Sequence, residues 1–256
     1  MKTRSVVAAA RIAFVLLLAH SAAAGAQEVK LLCVVALGPA LNELAPQFER
    51  TTGHKLVIRY GASPAFKQQI EAGERFDLAI LTAPVMDDLA KQGKVTGGTR
   101  VVIARSGIGV AVRADAPGAD ISSVDAFKGA LLNATSITYA PEGAIGIHLP
   151  KVFERLGITE EIKVKTRPMK SVEYVLEAVA NGEAELGFGT IGAILSVRGT
   201  KLLGPFPAEL QDYVVFTAGV GTAAKEAEVA RALIRFLAAP AAVSVIRAKG
   251  MEPGTP

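Results

Sequence analysis

The sequence is poor in the residues that form covalent cross-links and metal sites: its 256 residues include one cysteine, three histidines and no tryptophan. Because Cys33 is the only cysteine, a disulfide within the chain is impossible, and its place in an apolar run predicts a buried thiol. Leu32 stands where a lipid-attachment motif needs a small residue, so lipidation is not expected. Neither HExxH nor CxxC spacing is present. The sequence therefore predicts neither a metal site nor a cofactor.

Motifs for nucleotide binding and for nucleophilic catalysis are also missing. No GxxxxGK[ST] or GxGxxG pattern follows a predicted strand. Ser63 is the best candidate nucleophile, but the residue after such a serine must donate its N–H to the oxyanion hole, and Pro64 has no N–H. We predict instead that Asp77 makes structural hydrogen bonds to nearby turns and that His148 lies at the surface or at a cleft edge. The sequence predicts a binding protein, not an enzyme, and disfavours an exported hydrolase.

The segment over residues 1–26 has the pattern of a signal peptide. Basic residues precede the apolar run Ile12–Ala19, and the small residues Ala24-Gly25-Ala26 form a cleavage site before Gln27. The apolar run is too short to span a bilayer, which takes about 20 residues. Removing this segment leaves 25 basic and 24 acidic residues, so the mature chain is close to neutral. We therefore expect a periplasmic protein without a nucleic-acid partner.

Strand and helix signals alternate along the mature chain, which predicts an α/β fold with parallel strands. Val101–Ala104 and Ile108–Val112 form an almost continuous run that is rich in valine and isoleucine. This run predicts a long or bent strand that crosses between two lobes. A helix is predicted over Ile147–Leu156, after a glycine-rich turn, and a strand over Val164–Thr166.

The stretch from Lys55 to Gly73 has the pattern of a strand, a tight turn and a short helix. Ser63 stands where the helix N-cap is expected, and Pro64 stands at the first helical position, where its missing N–H costs nothing. A helix N-terminus at the end of a strand offers free N–H groups and a partial positive charge to an anion. Open α/β sheets bind their ligands at this edge. The stretch is therefore predicted to form one wall of an anion site.

Several segments spread over nearly the whole mature chain carry a family pattern. They are Ala40–Gly53, Gln69–Gly73 with Asp77, Ala180–Gly187, and Ile234–Val243 continuing to Lys249–Pro253. In them the chain resembles the periplasmic solute-binding proteins of ABC importers, specifically the molybdate-binding type. The resemblance implies a type II-like fold of two α/β lobes with the ligand cleft between them. It implies a first lobe of residues 27–104 and 213–256, a second of 105–212, and crossing segments near Val101–Val112 and Leu203–Val214.

The resemblance also implies a ligand site. Molybdate-binding proteins of this type hold the oxyanion with two serine hydroxyls, a tyrosine hydroxyl and backbone N–H groups, without a charged side chain. Carried over position by position, the expected ligand-binding residues are Ala36, Gly38, Ser63, Ile145, Gly146, Val172 and Thr190. Only Ser63 keeps its hydroxyl unchanged, because Ala36 replaces the first serine and Thr190 replaces the tyrosine.

The other four positions concern backbone N–H donors. Ile145 and Gly146 fall in an altered glycine-rich loop, Val172 keeps the place of a donor before a helix, and Gly38 is a candidate replacement donor. A hydrogen bond to a charged acceptor contributes about 1.5–3 kcal/mol. Losing one hydroxyl therefore weakens molybdate binding by about one to two decades.

The ligand and the role follow from the resemblance as expectations. A molybdate- or tungstate-like oxyanion is favoured, and a small organic carboxylate is the alternative, for which Thr82, Tyr60 and His148 are available. The protein is expected to be a monomer that closes around the anion by a hinge motion and delivers it to an ABC permease in the inner membrane. A periplasmic sensor subunit with the same clamp is a second alternative. The effector domain of a transcription regulator is disfavoured by the signal peptide and by the missing DNA-binding helices.

Overall fold

The computed structural model describes residues 27–254, so the predicted signal peptide lies outside the described residues. The strands are β1 Glu28–Val34, β2 Lys55–Gly61, β3 Leu78–Thr82, β4 Val101–Arg113, β5 Ile137–Tyr139, β6 Thr166–Pro168, β7 Leu186–Thr190, β8 Thr200–Pro205, β9 Tyr213–Val220 and β10 Glu252–Pro253. The helices are α1 Gly38–Thr52, α2 Ser63–Glu71, α3 Ala83–Lys91, α4 Val124–Asn133, α5 Ala144–Leu156, α6 Thr159–Lys163, α7 Val172–Ala180, α8 Ile191–Ile194, α9 Ala227–Leu237 and α10 Pro240–Ala248. The alternation confirms the α/β class.

The strands of the described chain join in one sheet. Its order is β2-β1-β3-β9-β4-β7-β5-β6, and β8 and β10 are further partners of β4. Strands β1, β2 and β3 pair in parallel, as do β5, β6 and β7. Between these two groups, β9 and β4 pair antiparallel with each other and with their outer neighbours. The sheet therefore has two parallel parts on either side of an antiparallel centre, which is the predicted two-lobed architecture.

Strand β4 belongs to both lobes. Its first part, Val101–Gly107, pairs with β9, and its second part, Ile108–Arg113, pairs with β7 and β8. The predicted long strand between the lobes is confirmed. Residues 206–212 form a second crossing between β8 and β9. The lobe boundaries after residues 104 and 212 stay predictions.

Two side chains fix the second crossing in place. Gln211 takes the place of a strand partner, because its Oε1 accepts from the Ile108 N–H at 2.8 Å and its Nε2 donates to the Ile108 carbonyl at 3.0 Å. From α5, the Nε2 of His148 lies 2.8 Å from the Leu210 carbonyl oxygen. His148 is thus a partly buried contact of the crossing segment.

Two hydrophobic cores stabilise the fold. Every buried residue of the smaller core lies between Ile108 and Leu210. The larger core combines residues from both ends of the described chain, such as Leu31 of β1 and Leu233 of α9, with some from its middle. Full burial of such a side chain contributes about 1.5–3 kcal/mol.

The C-terminal helices α9 and α10 form a bent pair. Val229 and Leu233 of α9 are buried at helical spacing in the larger core. Within residues 27–254, no single helix is long and apolar enough to cross a membrane, although α9 and α10 together, bent by 65°, pass by length and composition.

Asp77 and Cys33 have the structural roles that the sequence predicts. The Asp77 carboxylate accepts from the N–H groups of Lys30 at 2.8 Å, Lys225 at 2.7 Å and Glu226 at 3.0 Å. Because Asp77 is only 5% exposed, it holds β1 to the residues that precede α9 away from solvent. Cys33 is fully buried in β1, and burial raises the pKa of its thiol. Both predictions are confirmed.

Two local predictions are wrong in their bounds. Val164 ends the short helix α6 and is 85% exposed, so β6 begins only at Thr166. A β-branched residue favours a strand when it packs against neighbours, which an exposed side chain does not do. The helix predicted from Ile147 begins at Ala144, because Gly143 adopts a positive φ of 95° and turns the chain into the helix. This start places Ile145 in the first helical turn.

Candidate functional site

A cleft of about 800 Å³ opens between the two lobes. It lies where the parallel strands of both lobes end, which is the edge at which open α/β sheets bind ligands. The lining residues that end or follow these strands are Val34, Gly61, Thr82, Ala140, Lys170 and Thr190.

Ser63 lies in the wall of the first lobe and is 4% exposed. Its predicted role as a helix cap is wrong: Ala62 is the N-cap of α2, and the Ser63 side chain makes no capping bond. Its Oγ accepts instead from the Thr82 N–H of the neighbouring strand at 2.9 Å. A hydroxyl that accepts one N–H still has its own proton to donate. Ser63 therefore keeps an O–H donor for a ligand in the cleft.

The glycine-rich turn after β5 forms part of the opposite wall. Its residues 140–145 line the cleft, and Ile145 brings the first turn of α5 to it. Gly146 is not a lining residue. A Cβ at this position would overlap the carbonyl group of Pro141 and the carbonyl oxygen of Ala140. Gly146 thus lets α5 pack directly against the turn, and its contact with a ligand stays a prediction.

The ends of β6 and β7 complete the wall of the second lobe. Val172 begins α7 and lines the cleft beside Ser171. Thr190 lines it from the end of β7, and its Oγ1 accepts from the Ala193 N–H at 3.4 Å. By the same reasoning as for Ser63, the Thr190 hydroxyl proton remains available to a ligand.

Four helices begin at the walls of the cleft, α2 and α3 in the first lobe and α5 and α7 in the second. The N–H groups in the first turn of a helix have no carbonyl partner within the helix. The helix dipole adds a partial positive charge at the same end. Because these N-termini meet one space from two lobes, the cleft is suited to an anion.

Ala36 and Gly38 have different places in the structure. Ala36 lies in the short 3₁₀ turn Val35–Leu37 and lines the cleft with a methyl group. Gly38 is not among the lining residues, and its N–H donates to the Val35 carbonyl. The structure therefore does not place Gly38 as a replacement for the hydroxyl that Ala36 lacks.

Comparison with known proteins identifies the family of the chain. A family model described as bacterial extracellular solute-binding protein matches residues 29–252. The chain belongs to this family. The resemblance inferred from the sequence is confirmed.

Two curated relatives of this solute-binding protein carry different names. An aconitate isomerase from a Pseudomonas species is 33% identical over 247 residues, which cover 93% of this chain and 94% of the relative. The molybdate-binding protein ModA of Azotobacter vinelandii is 31% identical over 241 residues, covering 89% of this chain and 91% of ModA. The relatives thus include both an enzyme and a binding protein.

Solved structures show the same fold as this solute-binding protein. The periplasmic molybdate-binding protein of Azotobacter vinelandii matches with a TM-score of 0.74 at 24% identity, covering 87% of this chain and 98% of that one. The sulfate-binding protein SubI of Mycobacterium tuberculosis matches with a TM-score of 0.71 at 16% identity, covering 89% and 87%. The likeness confirms the periplasmic binding protein fold.

Charged side chains also line the cleft of this solute-binding protein, and the sequence did not single them out. Lys67 and Glu71 lie on α2, and Glu142 and Lys170 lie on the opposite wall. The Nζ of Lys67 donates to Asp88 at 3.0 Å, and this hydrogen bond raises the pKa of the ammonium group. The spacing of Lys67, four residues after Ser63, is a helical signal that points to the same wall.

Of the three residues that the sequence makes available to a carboxylate ligand, one lines the cleft and two do not. Thr82 lines the cleft, whereas Tyr60 and His148 do not. The Oη of Tyr60 lies 3.5 Å from Asn42, and burial raises the pKa of Tyr60 to about 12. Among residues 27–254, no three side chains of His, Cys, Asp or Glu come together to hold a metal ion.

Proposed function

We propose that this solute-binding protein is a periplasmic receptor that encloses a small organic anion with more than one carboxylate and delivers it to an ABC permease. The observation that carries the proposal is the convergence of the N-termini of α2, α3, α5 and α7 on one cleft. Unpaired N–H groups and helix dipoles bind anions without a counter-charge. Ser63 and Thr190 add hydroxyl donors from the two lobes. Closure about β4 and the second crossing would enclose the ligand.

The cleft has room for a small polycarboxylate, and the chemistry of its lining favours that ligand over a tetrahedral oxyanion. Its volume of about 800 Å³ lies within the roughly 300–1,000 Å³ of sites that enclose drug-sized molecules. Ala36 offers a methyl group where the resemblance implies a hydroxyl. Lys170 adds a positive charge on the wall of the second lobe, whereas Lys67 on the opposite wall is already paired with Asp88 at 3.0 Å.

The relatives support both ligand classes to different degrees. The molybdate-binding protein supports an oxyanion, and the aconitate isomerase supports a tricarboxylate, because aconitate carries three carboxyl groups. The lost hydroxyl at Ala36 and the positive charge of Lys170 agree with the second class. The oxyanion expected from the sequence stays a prediction and is one arm of the test.

A ligand screen by calorimetry and thermal shift tests the proposal on the mature protein. We expect trans-aconitate, cis-aconitate, citrate or tricarballylate to bind, with a stabilisation of about 2.7 kcal/mol at a hundredfold excess over Kd. Molybdate, tungstate and sulfate are expected to bind at least about tenfold more weakly. Tight binding of molybdate with no response to any carboxylate would contradict the proposal.

Replacing Ser63 by alanine is expected to weaken binding of the preferred carboxylate by about ten- to a hundredfold. The reason is the loss of one hydrogen bond to a charged acceptor, about 1.5–3 kcal/mol. Calorimetry measures the effect. Ser244→Ala, at an exposed position of α10 away from the cleft, is the matched control and should bind like the wild type. Equal affinities of the two variants would remove Ser63 from the site.

Isomerisation of an unsaturated polycarboxylate is the second candidate function. It is favoured by the similarity to an aconitate isomerase over 93% of this chain. A double-bond shift breaks a C–H bond on one carbon, passes the proton to a base, and returns a proton to another carbon as the electron pair moves. Glu71 and Glu142 are carboxylates that line the cleft and can hold such a proton.

Incubation of trans-aconitate with the protein in D₂O separates the two functions. An isomerase produces the cis isomer and introduces deuterium at carbon, both visible by NMR. A receptor binds trans-aconitate by calorimetry and leaves it unchanged. Binding without isomer or deuterium would therefore exclude the enzyme and retain the receptor.

A further inference from the structure

The hydroxyl groups that line the cleft differ in whether they are left to donate a hydrogen bond to a ligand or to accept one from it. Ser63 and Thr190 each accept a backbone N–H, at 2.9 Å and 3.4 Å, so each has a proton left to donate. A carboxylate of a ligand can accept hydrogen bonds from both of these hydroxyls. Thr82 makes no side-chain hydrogen bond within residues 27–254, so its hydroxyl is able to donate as well.

Ser171 differs from these hydroxyls. Its Oγ contacts the Oε2 of Glu173 in the first turn of α7. An ionised carboxylate is acceptor-only, so Ser171 must donate its single proton to Glu173. No N–H or O–H of the described residues donates to the Ser171 oxygen in return. The lone pairs of this oxygen therefore remain free on a residue that lines the cleft.

Glu173 supports this direction in a second way. Its Oε1 is buried and has no hydrogen-bond partner within the described chain. The Ser171 hydroxyl is thus the donor that the described residues give to this carboxylate. The negative charge of Glu173 lies beside the N-terminus of α7, where the helix dipole stabilises it, so we expect the carboxylates of the ligand at the N-termini of α2, α3 and α5.

We propose that Ser171, positioned by Glu173, is an acceptor subsite that recognises a hydroxyl group on the ligand. A donor is needed there, and carboxyl groups with pKa values near 4 carry no proton at neutral pH. A hydroxyl group on the carbon skeleton of a polycarboxylate supplies that donor. The inference rests on the proposed function and narrows it: the ligand is a hydroxy-polycarboxylate, whose carboxylates meet the helix N-termini and whose hydroxyl meets Ser171.

Citrate and tricarballylate test this subsite, because they differ only in the hydroxyl on the central carbon. Calorimetry on the mature wild-type protein should show citrate binding about tenfold tighter than tricarballylate. Ser171→Ala should bring the ratio of the two Kd values close to one. Glu173→Ala removes the acceptor of the Ser171 proton and should lower the ratio at least threefold, whereas Glu177→Ala, at an exposed position one turn later, should leave it unchanged.

The ratio of affinities separates specificity from a structural effect, since a loosened wall weakens both ligands together. Equal binding of citrate and tricarballylate by the wild type would overturn the subsite and leave the polycarboxylate receptor intact. Preference for trans-aconitate over citrate would also overturn it. If no carboxylate binds, the proposed function itself fails, and the subsite with it.

Discussion

Asp77→Ala is expected to lower the free energy of unfolding by about 3–5 kcal/mol. The substitution leaves the N–H groups of Lys30, Lys225 and Glu226 without the carboxylate that accepts from all of them in a site only 5% exposed. These donors belong to the start of the first lobe and to the approach to α9. The loss therefore affects the connection between the two ends of that lobe. Urea denaturation followed by circular dichroism measures it.

Two further variants test whether the loss of stability is specific to the Asp77 carboxylate. Asp115→Ala removes an exposed carboxylate that pairs with Arg113 and should change the free energy of unfolding by no more than about 1 kcal/mol. Asp77→Asn should give an intermediate loss, because an amide has one acceptor oxygen and presents N–H donors on its other side. If Asp77→Ala were no more destabilising than Asp115→Ala, the structural role of Asp77 would be wrong.

Gly146→Ala is expected to damage both stability and ligand binding. The added Cβ would overlap the carbonyls of Ala140 and Pro141, which are backbone groups that cannot rotate away. The turn over residues 140–143 must then move, at a cost of about 1–3 kcal/mol. Because this turn and Ile145 line the cleft, we expect an affinity for the best carboxylate at least about tenfold lower.

Gly129→Ala is the matched control for this substitution. Gly129 lies in α4, and a Cβ there would meet no heavy atom within 4 Å. Alanine in a helix is more favourable than glycine, so this variant should be more stable by about 0.5–1 kcal/mol and bind normally. Thermal denaturation and calorimetry on both variants are the measurements. If a folded Gly146→Ala protein bound the carboxylate normally, the turn over residues 140–143 would not be part of the ligand site.

Much of the fold follows from local sequence patterns. The long strand β4 was predictable because its run of valine and isoleucine has little interruption. Most residues in both halves of this strand are buried, which agrees with that composition. The structural role of Asp77 was also predictable, since an isolated carboxylate at the start of an apolar strand needs donors from nearby turns. In both cases the residue types within a few positions indicate the role, although the donors to Asp77 come from distant residues, Lys30, Lys225 and Glu226.

The candidate site was harder to predict because its contacts are made between distant segments. Serine favours the N-cap position of a helix, but the Ser63 hydroxyl accepts a hydrogen bond from the Thr82 N–H of a neighbouring strand instead. Gly146 lies in a glycine-rich turn, which is typical of a ligand-binding loop. Only the position of Pro141 in the structure shows that Gly146 is needed for close packing. Lys67 and Lys170 were not singled out, because the local sequence does not show that each faces a second lobe across a cleft.

The interleaving of the two lobes also sets an order for folding. The smaller core uses residues between Ile108 and Leu210 and is complete before β9 is made. The first lobe needs β9 beside β3 and β10 beside β4, pairs that join Leu78 to Val220 and Arg105 to Glu252. Such long-range pairs form slowly, because loop closure precedes their contact energy. We therefore expect the first lobe to complete its fold after the second, once β9 and β10 are available to pair.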